Sequence, residues 1–211
     1  ASESIAKEYL RYLENSISVV TCNKIAAADI LDNYLNLKNM SRKYGSSFLF
    51  ETNVGAGLPI IDTLNNLVAS GDQILEIQAV LSGSLNFIFN NFKKGISFCE
   101  VTKTAQKNGF TEPDPKIDLK GIDVARKILI LARESGIGLE FDEIKNKSFL
   151  PKDCLDTNDN ESFFNSLKEN DGYFNRLLNN AEKKSSKLKY VATLKNGKAS
   201  VGLKEISKDH D

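Results

Sequence analysis

This 211-residue chain has no net charge, one histidine, three scattered cysteines and no long apolar run, and each shortage removes a class of function. Lys+Arg 28 against Asp+Glu 28 gives a formal charge of +0, which leaves no basic footprint for nucleic acid or an anionic membrane and points to small molecules as partners. No stretch approaches the ~20 apolar residues of a membrane span. The opening Ala-Ser-Glu-Ser has neither the charged nor the apolar region of a signal peptide, so the sequence reads as a cytoplasmic protein. Cys22, Cys99 and Cys154 are odd in number and form no C-x-x-C pair, which argues against a zinc site and a disulfide framework. The one histidine, His210, stands next to the last residue. Histidine triads and histidine-ligated metals are thereby excluded, and any acid–base chemistry falls to Lys, Asp, Glu or Tyr.

What the chain does have is concentrated between Gly109 and Lys127. Glu112, Asp114 and Asp118 cluster there, and Pro113 and Pro115 are expected to hold the segment extended, because proline fixes φ, lacks an N–H and biases its predecessor away from helix. A helical pattern follows. Asp123 and Lys127 stand four apart, so on a helix they share a face, with the acid nearer the N-terminus. Ile128 to Ala132 are all apolar, which predicts a helix covered on most sides whose polar face looks into a cleft. A lysine partly desolvated beside a carboxylate is tuned for proton transfer. On a solvated face the same spacing is a surface ion pair worth at most about 1 kcal/mol. The residues alone leave both readings open.

Earlier in the chain, Ile5, Tyr9, Leu10 and Leu13 predict an amphipathic helix over residues 3–14. Ile17 to Thr21 reads as a β-branched strand, and a second helix is expected from about Ala26 to Lys43, a fragment of βαβ type. Lys24 lies at the C-terminal end of that strand, where such sheets bind ligands, although an ordinary loop lysine would occupy the same position. A strand at 48–50 leads into Glu-Thr-Asn-Val-Gly-Ala-Gly-Leu-Pro at 51–59 and a helix to Ala69. Gly55 and Gly57 suggest a dinucleotide fingerprint, but Ile60 takes the place of its third glycine. The loop then reads most simply as a tight turn, with a convergence of backbone carbonyls on a hard cation as the alternative.

Ile74 to Leu81 predicts a strand, followed by a helix from about Leu85 to Phe92 in which Ser84 is either the N-cap or part of a carboxylate-binding helix start. A helix from Ser97 to Lys107 stops at Asn108-Gly109, and the long helix after it ends at Gly136. Residues 138–160 read as loops, 161–170 and 173–184 as short helices, and the lysine-rich 182–189 as a solvated linker. Asn196-Gly197 marks a hairpin of strands 188–194 and 198–206, which needs a larger sheet to be stable.

Taken together, these segments resemble homoserine dehydrogenase, in particular the dehydrogenase part of bifunctional aspartokinase/homoserine dehydrogenases. The matching stretches are Val-Thr-Cys-Asn-Lys at 20–24, the whole of 51–59, Leu-Ser-Gly-Ser-Leu-Asn-Phe-Ile-Phe at 81–89, Gly-Phe-Thr-Glu-Pro-Asp-Pro at 109–115 and Asp-Leu-Lys-Gly-Ile-Asp-Val-Ala-Arg-Lys at 118–127. The resemblance implies an α+β fold, with a mixed sheet covered by helices and a remnant of a Rossmann-type domain. Residues 1–45 would be a partial nucleotide-binding domain without its glycine-rich loop, and residues 46–211 the substrate-binding, catalytic and dimerisation domain.

It implies NAD(P)H-dependent reduction of aspartate 4-semialdehyde to homoserine, in threonine and methionine biosynthesis, by a homodimer. Under it Lys127 donates the proton to the carbonyl oxygen and Lys24, beside the nicotinamide, assists. Glu112 and Asp123 bind substrate, with Asp118 and Ser84 nearby, and Gly109 touches the cofactor. Main-chain oxygens of Glu51, Val54, Ala56 and Leu58 hold a sodium ion. Since the family's opening strand and phosphate loop are not in the sequence, the chain is expected to be an internal piece of a longer enzyme, to bind NADPH weakly at most and to be inactive alone. Without the resemblance, two other classes fit the residues. One is a lysine-dependent enzyme that uses no nicotinamide, such as a Schiff-base lyase. The other is a non-catalytic dimerisation or interaction module built on the apolar helix and a sheet edge.

Overall fold

The apolar spacing that opens the chain produces α1 (Glu3–Glu14), which buries Tyr9 and Leu13. The computed structural model describes residues 2–209; Ala1, Asp211 and the histidine at 210 lie outside the described residues. β1 (Val19–Val20), shorter than the five-residue strand expected at 17–21, pairs in parallel with β2 (Phe48–Leu49), with Val19 opposite Phe48. A parallel pair needs a crossover. Here it is made by α2 (Lys24–Ala27) and α3 (Leu31–Lys43), where one helix was expected. The break has a cause. Asp29 accepts from the Ile30 N–H at 2.8 Å and Glu140 accepts from the Leu31 N–H at 2.8 Å, so the amides at the break are satisfied without continuing the helix.

The remaining elements are α4 (Ile60–Ala69), β3 (Glu76–Ala79), α5 (Gly83–Asn91), α6 (Phe98–Lys107), α7 (Pro115–Leu119), α8 (Ile122–Glu134), β4 (Lys145–Lys147), α9 (Lys152–Leu155), α10 (Asn160–Glu169), α11 (Asp171–Lys183), β5 (Ser186–Lys195) and β6 (Lys198–Ser207). The second sheet runs in the order β3-β5-β6-β4. Asn196 (φ 50°) and Gly197 (φ 72°) make the two-residue turn of the expected hairpin, whose strands do join a larger sheet. Its edge strand β4, Lys-Asn-Lys, is exposed at every position and gives no alternation to read in the sequence. The expected linker at 182–189 is absent: α11 runs to Lys183, β5 starts at Ser186, and the Lys189 ammonium donates to Asn86 Oδ1 (3.1 Å) and Asn90 Oδ1 (2.6 Å). The class is α+β, as expected.

Within the described residues the chain divides into two compact units, one of residues up to 77 with 125–145 and 193–200, the other of 78–124, 146–192 and those from 201 on. In the first, Ile128 to Ala132 of α8 are each 0–2% exposed, and each large aliphatic buried this way stabilises the fold by about 2 kcal/mol. The second is centred on Phe98, which stacks on Phe174 at 4.3 Å and meets Phe92 and Phe149 edge-on. Cys99 and Cys154 are buried in it as free thiols, whereas Cys22 is exposed. No helix among the described residues is long and apolar enough to cross a membrane.

Candidate functional site

The proline-containing acidic stretch is not extended throughout. Pro115 is the first residue of α7 and Asp114 its cap, Oδ1 accepting from the Lys116 N–H at 2.9 Å. Proline suits that position because its missing N–H would go unpaired in a first turn anyway. The short helix has a consequence for Asp118. Its Oδ1 accepts from the Ser84 hydroxyl at 2.8 Å and its Oδ2 from the Glu112 N–H at 2.8 Å, so one half-buried carboxylate ties together three of the residues expected at the site. Ser84 is not the cap of α5. That role belongs to Ser82, whose Oγ accepts from the Leu85 N–H at 3.1 Å, and this leaves the Ser84 hydroxyl for Asp118. The Glu112 side chain is exposed, clear for a ligand. Gly109, at the end of α6, has φ 71°, and a Cβ built there would meet nothing within 4 Å, so conformation and not crowding calls for glycine.

Between α7 and α8 lies a tighter constraint. Gly121 has φ 71°, and a Cβ there would stand 2.0 Å from the Tyr190 hydroxyl oxygen, so only glycine fits the corner that launches α8. On α8 itself Val124, Ala125 and 128–132 are at most 2% exposed, while Asp123 and Lys127 are half-buried on one face. The helix is covered on most sides, as expected. Neither side chain stands out in bulk water.

Lys24, also half-buried, is the first residue of α2, which follows β1 after Thr21-Cys22-Asn23. Its turn is pinned: Asn23 Oδ1 accepts from the Ile25 N–H (3.1 Å), and the Asn23 N–H donates to Thr21 Oγ1 (3.0 Å), which is hydrogen-bonded to the Tyr9 hydroxyl (2.8 Å). In the same unit Glu134, its side chain 1% exposed, accepts from the Tyr34 hydroxyl and pairs with Lys38 at 2.9 Å. Burial first, and the Glu134 charge second, push the Tyr34 phenol far above its ordinary range. Arg133, with no side-chain exposure, pairs with Glu140 at 3.3 Å. These groups are absent from the site read in the sequence. The available signal is a charged pair abutting a five-residue apolar run, since charge on a buried helix must find partners.

The glycine-rich loop after β2 is closed by Glu51, whose Oε1 and Oε2 accept from the Ile61 and Asp62 N–H groups at 2.8 Å each, capping α4 from outside the helix. Gly55 (φ 87°) and Ala56 (φ 53°) are consecutive left-handed residues, and a Cβ at Gly55 would stand 2.4 Å from Ile60 Cγ1. Asn53 is 1% exposed, and neither its amide oxygen nor its nitrogen meets a protein partner. A buried carbonyl oxygen without a donor, in a loop that turns its backbone sharply, fits a hard cation held by oxygens.

The fold is one shared with solved dehydrogenases. The crystal structure of a hyperthermophilic archaeal homoserine dehydrogenase in complex with NADPH matches with a TM-score of 0.73 at 26% identity, over 100% of this chain and 55% of that one. A crystallised Candida auris protein of unknown function matches with a TM-score of 0.94 at 34% identity, over 99% of this chain and 61% of that one. The homoserine dehydrogenase family model matches residues 59–211, and the chain belongs to the homoserine dehydrogenase family. Among its relatives, a bifunctional aspartokinase/homoserine dehydrogenase of Buchnera aphidicola is 43% identical over 194 residues, 92% of this chain. The match spans 24% of that relative's length.

Proposed function

We propose that this chain carries the substrate-side machinery of an NAD(P)-dependent homoserine dehydrogenase that reduces aspartate 4-semialdehyde to homoserine. The observation that carries the reading, beside family membership, is the half-buried Asp123/Lys127 face on a helix otherwise enclosed by apolar side chains. The nicotinamide, when bound, supplies the hydride. Lys127 gives a proton to the oxygen that gains negative charge as the aldehyde carbon is reduced, and Lys24 supports that transfer with a second ammonium. Glu112 and Asp123 hold the substrate ammonium through charge-assisted hydrogen bonds. Asp118 acts one step removed, holding the Glu112 backbone and the Ser84 hydroxyl. Gly109 offers an uncrowded backbone to the cofactor.

In the same reading residues 1–45 belong to the nucleotide-binding part and 46–211 to the substrate-binding and dimerisation part of a homodimer. Carbonyls of Glu51, Val54, Ala56 and Leu58 hold a sodium ion, with Asn53 unsatisfied beside them in the chain; sodium should raise the melting temperature where choline does not. The central test is Lys127→Ala in the active enzyme, assayed by semialdehyde-dependent NADPH oxidation. A loss of about 10²–10⁴ in kcat is expected for a missing general acid. Turnover within a few-fold of the parent would end the reading.

A further inference from the structure

We infer that Arg133 is a positioning residue that ties the turn bearing Lys24 to the helix bearing Lys127. The inference rests on the proton-transfer reading of those two lysines. The guanidinium is fully buried and its donors fan out to three places. Nη1 donates to the Ala27 carbonyl at 3.1 Å; Nε and Nη2 donate to the Leu139 carbonyl at 3.1 and 3.0 Å; Nη2 also reaches Glu140 Oε2 at 3.3 Å. Ala27 is the last residue of α2 and Lys24 the first, so the bonded carbonyl lies about one helical turn from the lysine. Asn23 and Thr21 hold the upstream end of that turn, and Arg133 holds the downstream end.

Glu140 completes the bracket. Its other oxygen, Oε1, accepts from the Leu31 N–H at 2.8 Å, so the segment 133–140 holds both the end of α2 and the start of α3. On the other side Arg133 belongs to α8, six residues and about 9 Å of rigid helix beyond Lys127. The break between α2 and α3 therefore serves a purpose: it exposes a free carbonyl and a free amide for one arginine–glutamate pair to grip. A lysine at 133 keeps the charge but not the planar fork, and cannot serve these acceptors together.

The test is a double-mutant cycle in the active full-length enzyme. Arg133→Lys should lower kcat about a hundredfold, with KM for the semialdehyde changed less than about threefold, because the displaced Lys24 acts on the charge that develops in the transition state and not on ground-state binding. In a Lys24→Ala background the same substitution should cost less than about threefold, since its effect is transmitted through Lys24. An equal hundredfold cost in both backgrounds would mean a merely structural role and overturn the proposal. Amide hydrogen exchange reads the tether without turnover: residues 25–28 should exchange about tenfold faster in Arg133→Lys. Unchanged exchange removes the tether whatever the kinetics. Faster exchange with a harmless Lys24→Ala leaves the tether standing but removes Lys24 from the reaction, and the positioning role with it. If Arg133→Lys does not fold, Glu140→Gln keeps an acceptor for Leu31 while removing the charge that completes the bracket, and carries the same cycle with about a tenfold loss in place of the hundredfold.

Discussion

Two carboxylates, one in each unit, are used in opposite ways. Glu134 is 1% exposed and faces a partly exposed lysine, so the desolvation of its own charge is repaid only while both charges are present. Asp118 is half-buried and faces a hydroxyl and a backbone amide, both neutral donors. The first site depends on charge, the second on the number and direction of acceptors. A serine hydroxyl can also turn and accept, whereas an ammonium cannot. The lesson is that isosteric amide substitutions, which preserve shape, should separate the two.

The largest effect is expected at the charge-dependent site. Glu134→Gln leaves the Lys38 ammonium, 24% exposed, without its counter-charge and should lower unfolding stability by about 3 kcal/mol in urea denaturation. Asp118→Asn can aim its oxygen at the Glu112 N–H and its NH₂ at Ser84 Oγ, and should cost no more than about 1 kcal/mol by the same measurement. Equal losses would erase the distinction.

The smallest effect sharpens it with a neutral buried group. Tyr190 donates to Asn146 Oδ1 at 3.1 Å, and burial raises its phenol to about 12. Its folded pKa lies above the unfolded value of about 10, so the unfolded chain loses this proton first. The associated stability is fully present below pH ~10 and is lost as pH rises toward about 12. Phenolate absorbance should show one tyrosine titrating near pH 12, absent in Tyr190→Phe. Titration of that tyrosine near pH 10 would contradict it.

Much of the scaffold is legible from neighbours along the chain. The helices at 3–14 and 98–107, the covered helix after Asp123 and the Asn196-Gly197 turn all follow from spacing within a few residues. Two of the misreadings share a cause, a partner distant in the chain. Ser84 passes for a helix cap until its partner, Asp118, is known to lie 34 residues away. The helix expected across 26–43 breaks because Glu140, 109 residues on from Leu31, offers its amide another partner. The third is local: Pro113 and Pro115 predict an extended segment, but Pro115 begins α7 behind the adjacent Asp114 cap.

By itself, then, the order of residues determined most of the segments that coil or extend, where the hairpin turns and which acids and lysines are available for chemistry. Periodicity and turn conformation are decided by groups within about four residues of one another. Only the tertiary structure decided that Asp118 grips Ser84 and Glu112, and that Arg133 reaches the Ala27 carbonyl across 106 residues of chain. A hydrogen bond needs its partners within about 3 Å in space, and sequence separation says nothing about that distance.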